Sequence, residues 1–249
     1  MRIAVAGGTG VVGSQVVARL SGADTPVVLA RSVGVDLTTR AGLDAALDGV
    51  DAVIDVSNIV TTSRRRAVAF FEAVTTNLLA AARRAGVGHV VVLSIVGADR
   101  VDLGYYLGKR HQEQLLAAGD VPWTLLRATQ FHEFPGQLLQ RMRGPLVPVP
   151  AMLSQPVAAG EVAAHLLELA RGGPAGVALP MAGPQQLQMI DMVRQLVAAR
   201  RLRRLPVPVR LPGSVFRAMA GGELVPHGPH TQGRITFADH LRAESAEPA

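Results

Sequence analysis

The chain contains no cysteine. That excludes a disulfide framework, a thiolate zinc site and thiol chemistry. Lysine is almost absent as well: Lys109 stands alone beside 24 arginines. Aromatic residues make up only 4% of the chain while apolar residues make up 49%, so Ala, Val and Leu must build the core. That composition suits parallel strands covered by helices on both faces. No apolar run reaches the length of a membrane span. Met1-Arg2 leads directly into a strand-like run without a signal-peptide cleavage pattern. A cytoplasmic protein with no membrane partner is expected. The net charge of +6 is densest at Arg64-Arg65-Arg66 and Arg200-Arg201-Leu202-Arg203-Arg204. Neither cluster is interleaved with aromatics and no DNA-binding motif accompanies them, so both read as solvated faces and no nucleic-acid partner is expected.

A length of 249 residues suits one large α/β domain. The first half alternates short apolar runs with helical stretches, the βαβ pattern. Strands are expected at 2–6, 26–30, 34–37, 51–56, 89–95 and 121–127, and helices at 11–20, 43–47, 65–85 and 105–118. Prolines and glycines then punctuate 131–156. A helix at 159–171, a strand at 176–181 and a helix at 188–199 follow, before a Pro- and Gly-rich tail. The expected fold is α/β, a Rossmann-like doubly wound parallel sheet with a small C-terminal substrate-binding portion. Residues 1–249 form a single Rossmann-type domain in this reading, with 128–160 and 200–249 contributing the substrate lobe beyond the carboxyl ends of the strands.

Gly7-Gly8-Thr9-Gly10-Val11-Val12-Gly13 carries glycines spaced G-x-x-G-x-x-G between a strand and a helix. Glycine permits a tight turn and close backbone approach to a pyrophosphate, and a helix N-terminus supplies free N–H groups and partial positive charge. The second strand ends in Ala30-Arg31-Ser32, with Arg31 where an acid would otherwise accept the ribose 2′-hydroxyl of NAD(H). A charge-assisted bond from Arg31 to a 2′-phosphate is worth roughly 1.5–3 kcal/mol, a tenfold to hundredfold preference for NADP(H) over NAD(H). Asp36 and Leu37 either frame the adenine or, for Asp36, cap a helix.

Tyr105 and Lys109 lie four apart on a helix and so share one face. A phenol with pKa near ~10 needs a shift of about three units, roughly 4 kcal/mol, to act near neutral pH. An ammonium about 4 Å away supplies that order of energy. Its remaining donors can hold a cofactor ribose, which a planar guanidinium does less well.

These segments, together with 49–54, 126–134 and Gly233-Arg234-Ile235-Thr236-Phe237, resemble the short-chain dehydrogenase/reductase superfamily, specifically its atypical NmrA-like, NAD(P)H-binding branch. The resemblance implies that Tyr105 protonates a carbonyl oxygen as hydride arrives, and that Lys109 lowers its pKa and binds ribose. Ser94 would hydrogen-bond the substrate carbonyl, or simply cap its strand. Ser57 and Asn58 would lie along the cofactor. Asn77 matches a helix asparagine of extended members, or is an ordinary polar helix residue. Gln130, Phe131, His132 and Phe134 follow the sixth strand and are candidates for substrate contact, with His132 a rival acid–base group. His227 and His230 are close together but lack an evident third ligand, His89, His111, His165 and His240 are scattered, and no metal site is expected.

The expected activity is NADPH-dependent reduction of a small, largely apolar carbonyl, enone or quinone, by a monomer or homodimer. The rival is a catalytically silent NADP(H)-sensing NmrA-like regulatory protein.

Overall fold

The computed structural model describes residues 1–20, 22 and 24–246. Along the chain run β1 (Arg2–Ala6), α1 (Val11–Arg19), β2 (Thr25–Leu29), a 3-10 turn (Arg31–Val33), α2 (Leu43–Ala46), β3 (Ala52–Asp55), α3 (Arg64–Ala85), β4 (His89–Ile95), α4 (Gly104–Ala118) and β5 (Trp123–Ala128). Then come α5 (Phe134–Arg141), β6 (Leu146–Pro150), β7 (Leu153–Ser154), α6 (Ala159–Gly172), β8 (Gly176–Val177), β9 (Met181–Ala182), β10 (Leu187–Gln188) and α7 (Met189–Ala199). The chain finishes with β11 (Leu205–Val209), α8 (Ser214–Ala220), β12 (Thr231–Gln232) and α9 (Phe237–Ala246). These residues divide into two compact units: 1–127 with 159–179, and 128–158 with 180–249.

In the first unit the strands lie in the order β2-β1-β3-β4-β5, with β8 added beside β5. The β1–β2, β1–β3, β3–β4 and β5–β8 pairs are all parallel. Successive side chains of a strand point to opposite faces. Ala4, Ala6, Val53, Val90 and Val92 join Val74, Leu78 and Ala81 of α3 and Leu116 of α4 in one buried cluster. Ile3, Val5, Ala52, Ile54 and Val91 are buried on the opposite face. There α6 packs on β3, β4 and α1, burying Val16, Val162 and Leu166. Helices on both faces of a parallel sheet make this the expected doubly wound Rossmann-like fold.

Two expected elements differ. Residues 34–37 form no strand. Val35 and Leu37 are buried while Asp36 is half-buried, a period of two that imitates a strand. However, Asp36 Oδ1 accepts from Thr38 N and Thr38 Oγ1, and Asn77 Nδ2 donates to the carbonyls of Leu37 and Thr38. The backbone groups a sheet partner needs are therefore spent locally. The expected strand at 176–181 is two short ones, β8 and β9.

In the second unit α7 is central. It packs on α5, α9, β6, β10 and β11 and buries Met189, Met192, Val193 and Leu196. The pairs β6–β11 and β9–β12 are parallel and β7–β10 is antiparallel. Pro135 sits in the first turn of α5, where a missing N–H costs nothing.

Candidate functional site

The first unit concentrates the candidate residues at the carboxyl ends of β1, β3 and β4. Gly7 has φ +77, and a Cβ there would fall 2.9 Å from Ser57 Cα. The glycine turn therefore lies against the segment that follows β3. A Cβ on Gly13 would fall 2.1 Å from Gly7 O and 2.7 Å from Gly8 Cα, so only glycine lets α1 start this close to the turn. Gly10 caps α1 without a side-chain hydrogen bond. The first-turn amides of Val11, Val12 and Gly13 have no partner among the described residues. An uncapped helix start beside a glycine cradle has the donors and the room that a dinucleotide pyrophosphate requires. Thr9, Gly10 and Val11 are exposed there, while Val12 and Gly13 are buried.

Arg31 opens the 3-10 turn after β2, and Arg31 and Ser32 are both exposed. The Asp36 carboxyl is held below its ordinary range chiefly by the Thr38 hydroxyl and amide, with a smaller contribution from the Arg31 charge. Asp36 thus acts as a local cap, and Leu37 is buried in the core. Asn77 serves as the anchor of that turn.

Ser57 is buried, and its N–H donates to Asp55 Oδ1 at 2.9 Å. Asn58 Oδ1 accepts the Tyr105 hydroxyl at 2.7 Å and the Ile59 amide at 2.7 Å. The phenol is thereby fixed beside the segment that faces the glycine turn. Burial, and then the neighbouring Tyr106, push the Tyr105 pKa above its ordinary value.

Lys109 points inward. Only 4% of it is exposed. Its Nζ donates to Leu93 O at 2.9 Å and Gln112 Oε1 at 2.8 Å, and it lies 4.4 Å from the centre of the Phe71 ring. Gln112 in turn donates to Asp55 Oδ2 at 2.9 Å. Burial pushes Lys109 down to about 8, with Asp55 and Glu113 pulling the other way. The same burial raises Asp55, opposed by the Lys109 charge. An amide bridge therefore joins two buried opposite charges, each satisfied by hydrogen bonds.

Ser94 is buried and donates to Glu113 Oε1 at 2.6 Å. Glu113 also takes two bonds from Arg127, at 3.0 and 2.6 Å, and Arg127 reaches Asp99 at 3.0 Å. The residues that the sequence reading left out, Asp55, Gln112, Glu113 and Arg127, complete both networks. Their signal was available in α4, because Gln112 and Glu113 lie seven and eight residues after Tyr105, on the same helical face.

In the second unit, Gln130 is buried and its Oε1 accepts from Ser154 Oγ at 2.6 Å. Phe131 pairs its backbone with Val157 and is half-buried, as is Phe134 at the start of α5. His132 is buried, with Nε2 3.1 Å from Pro156 O and its ring against Phe237 and His240. Burial first, and then the His240 charge, push its pKa down to about 4. His132 is thus a neutral ring in an aromatic cluster at physiological pH. A cavity of about 530 Å³ in this unit is lined by Ala199, Arg200, Leu241, Glu244 and Ser245, none of which the sequence reading named.

Residues 7–172 match the family described as NAD(P)H-binding. A (4-alkanoyl-5-oxo-2,5-dihydrofuran-3-yl)methyl phosphate reductase of Streptomyces griseus is 34% identical over 227 residues, spanning 81% of this chain and 75% of the relative. An NAD(P)H azoreductase of Xenophilus azovorans is 30% identical over 226 residues, spanning 79% and 73%. The fold superposes on an NADPH-dependent quinone oxidoreductase of Escherichia coli complexed with NADPH, with TM-score 0.70 and 19% identity over 97% of this chain and 99% of that one. The chain belongs to the NAD(P)H-binding family.

Proposed function

We propose that the protein is an NADPH-dependent reductase of a small, largely apolar carbonyl, enone or quinone. The observation that carries this reading is the uncapped start of α1 set in the Gly7–Gly13 cradle, with the α4 tyrosine hydrogen-bonded to Asn58 of the adjoining segment. Bound NADPH would supply the hydride. The Val11, Val12 and Gly13 amides would hold its pyrophosphate, and Arg31 with Ser32 its 2′-phosphate, giving the preference over NAD(H). The azoreductase and dihydrofuranone reductase relatives are named for reductions, which supports the reaction class.

Tyr105 is the proposed proton donor. The phenol carries its proton at neutral pH, and burial raises its pKa instead of the lowering expected from Lys109. It is therefore a weaker acid than a free tyrosine and depends on alignment for the transfer. Asn58 orients the hydroxyl. Lys109 acts from behind as a positioning residue, tying α4 to β4 through Leu93 O. Ser94 and Glu113 do the same at the next turn.

The inward aim of Lys109 also fits the rival reading, an NADP(H)-sensing regulator without turnover, because the ammonium is committed to Leu93 and Gln112 and leaves the phenol without an activating charge. A screen of quinones, enones and aldehydes, followed by NADPH absorbance, separates the two. Oxidation of NADPH that falls sharply in Tyr105→Phe supports the reductase. Tight NADPH binding without turnover of any acceptor class supports the sensor.

A further inference from the structure

Residues 134–160 and 192–222 contain neither Asp nor Glu. Within the second unit, folding lays 134–158 and 192–222 side by side through β6 and β11. In β6 and β11, Leu146 pairs with Leu205 and Pro148 with Val207, and the Leu205 amide donates to Pro145 O at 2.7 Å. Paired residues project to a common face. One face carries Val147 and Val149, fully buried where α7 packs. The other presents Leu146 and Leu205, 59% and 60% exposed, and Val207, 37% exposed, with Leu211 exposed just beyond.

Cations surround this apolar ribbon. Arg204 is turned inward, donating to the carbonyls of Leu139, Met142 and Gly144, which locks the end of α5 alongside the start of β11. The side chains of Arg141, Arg143, Arg201, Arg203, Arg210 and Arg217 form no ion pair or hydrogen bond among the described residues. Apart from Arg217 on α8, they lie in the segments at the two ends of the ribbon. Elsewhere in the unit arginines do find acids, as Arg200 does with Glu244 and Arg194 with Asp191.

We infer that this β6/β11 face docks peripherally on an anionic phospholipid surface. Exposed aliphatic groups among unpaired guanidinium groups match a bilayer interface, where phosphates take the charge and the acyl boundary takes the side chains. Nucleic acid supplies the phosphates but no counterpart for leucines, and the ribbon offers no aromatic side chain for base stacking. A second copy of the same face would set like charges against each other. No helix among the described residues is long and apolar enough to cross a membrane, so the contact would lie on the surface. The sequence reading set aside a membrane partner because no apolar run reaches the length of a span, a criterion that does not address a surface contact assembled by strand pairing. This inference is independent of the reductase reading.

Vesicle co-sedimentation of the full chain tests it, using phosphatidylcholine alone and phosphatidylcholine mixed with phosphatidylglycerol. Binding is expected only to the mixed vesicles, weakening as salt is raised. Each arginine near an anionic surface is worth about fivefold in partitioning, so Arg203→Glu with Arg210→Glu should reduce binding by more than tenfold. Leu146→Ser with Leu205→Ser, both at exposed positions, should weaken binding while leaving the thermal melt unchanged. The inference is overturned by equal binding to both vesicle types or by none. Leucine variants that bind as well as the parent, at an unchanged melt, would also overturn it. So would tighter retention on duplex DNA lost in the arginine variants, or a concentration-dependent dimer abolished by the leucine pair.

Discussion

The Tyr105 hydroxyl donates to Asn58 Oδ1 at 2.7 Å, so the proposed proton donor is oriented by the segment after β3 and not by the lysine one turn further along its own helix. Tyr105→Phe should lower turnover by at least about a hundredfold with NADPH affinity unchanged, because proton transfer is worth 10²–10⁴-fold. Asn58→Ala should lower turnover less, leaving the phenol in place but unaligned. Steady-state kinetics beside calorimetric titration with NADPH checks both. Equal turnover in Tyr105→Phe would remove the tyrosine from the mechanism.

Gly13→Ala would drive a methyl group into backbone at 2.1 Å. The turn must open, and each amide hydrogen bond to a charged phosphate lost in doing so costs about 1.5–3 kcal/mol, tenfold to hundredfold in affinity. NADPH affinity should fall by that order. Gly88→Ala is the matched control: its added Cβ meets nothing nearer than 3.7 Å, and affinity should not change.

Removing the Lys109 charge should strand Asp55. Lys109→Met leaves a buried carboxylate without its cation, a change typically costing about 3–5 kcal/mol. Adding Asp55→Asn should return much of that stability in urea melts. A single variant as stable as the parent would contradict the buried Lys109–Gln112–Asp55 arrangement.

Much of this site was legible in the sequence, and the reason is local. The glycine spacing, the strand before it and the helix after it are set within a dozen residues, and Tyr105, Lys109, Gln112 and Glu113 share a helical face by spacing alone. What the chain could not disclose was where a side chain finds its partner across the fold. The Lys109 ammonium goes to Leu93 and towards Asp55, distant in sequence, and the alternation at 34–37 looks like a strand until Asn77 takes its carbonyls. Likewise Pro135 reads as a breaker but opens a helix, because a first-turn proline lacks only an N–H that had no partner.

His132 predicts an acid-sensitive second unit. Its folded pKa of about 4 lies below the ordinary 6.5, so the unfolded chain binds the extra proton between those values. Stability contributed by His132 is complete above pH 6.5 and is lost as pH falls through about 4, amounting to about 3 kcal/mol. His240 and Asp239 also face the ring, and only the part of the acid loss due to His132 should vanish in His132→Gln. Urea melts from pH 7 to pH 4 on the parent and the variant measure the difference.

The most direct test of the central claim is calorimetric titration with NADPH and, separately, NADH, in the parent and in Arg31→Ala. The account predicts NADPH binding tenfold to hundredfold tighter than NADH, with that margin collapsing in Arg31→Ala while NADH affinity holds. Binding of neither nucleotide would contradict the assignment of the Gly7–Gly13 cradle, and the proposed reduction would fall with it.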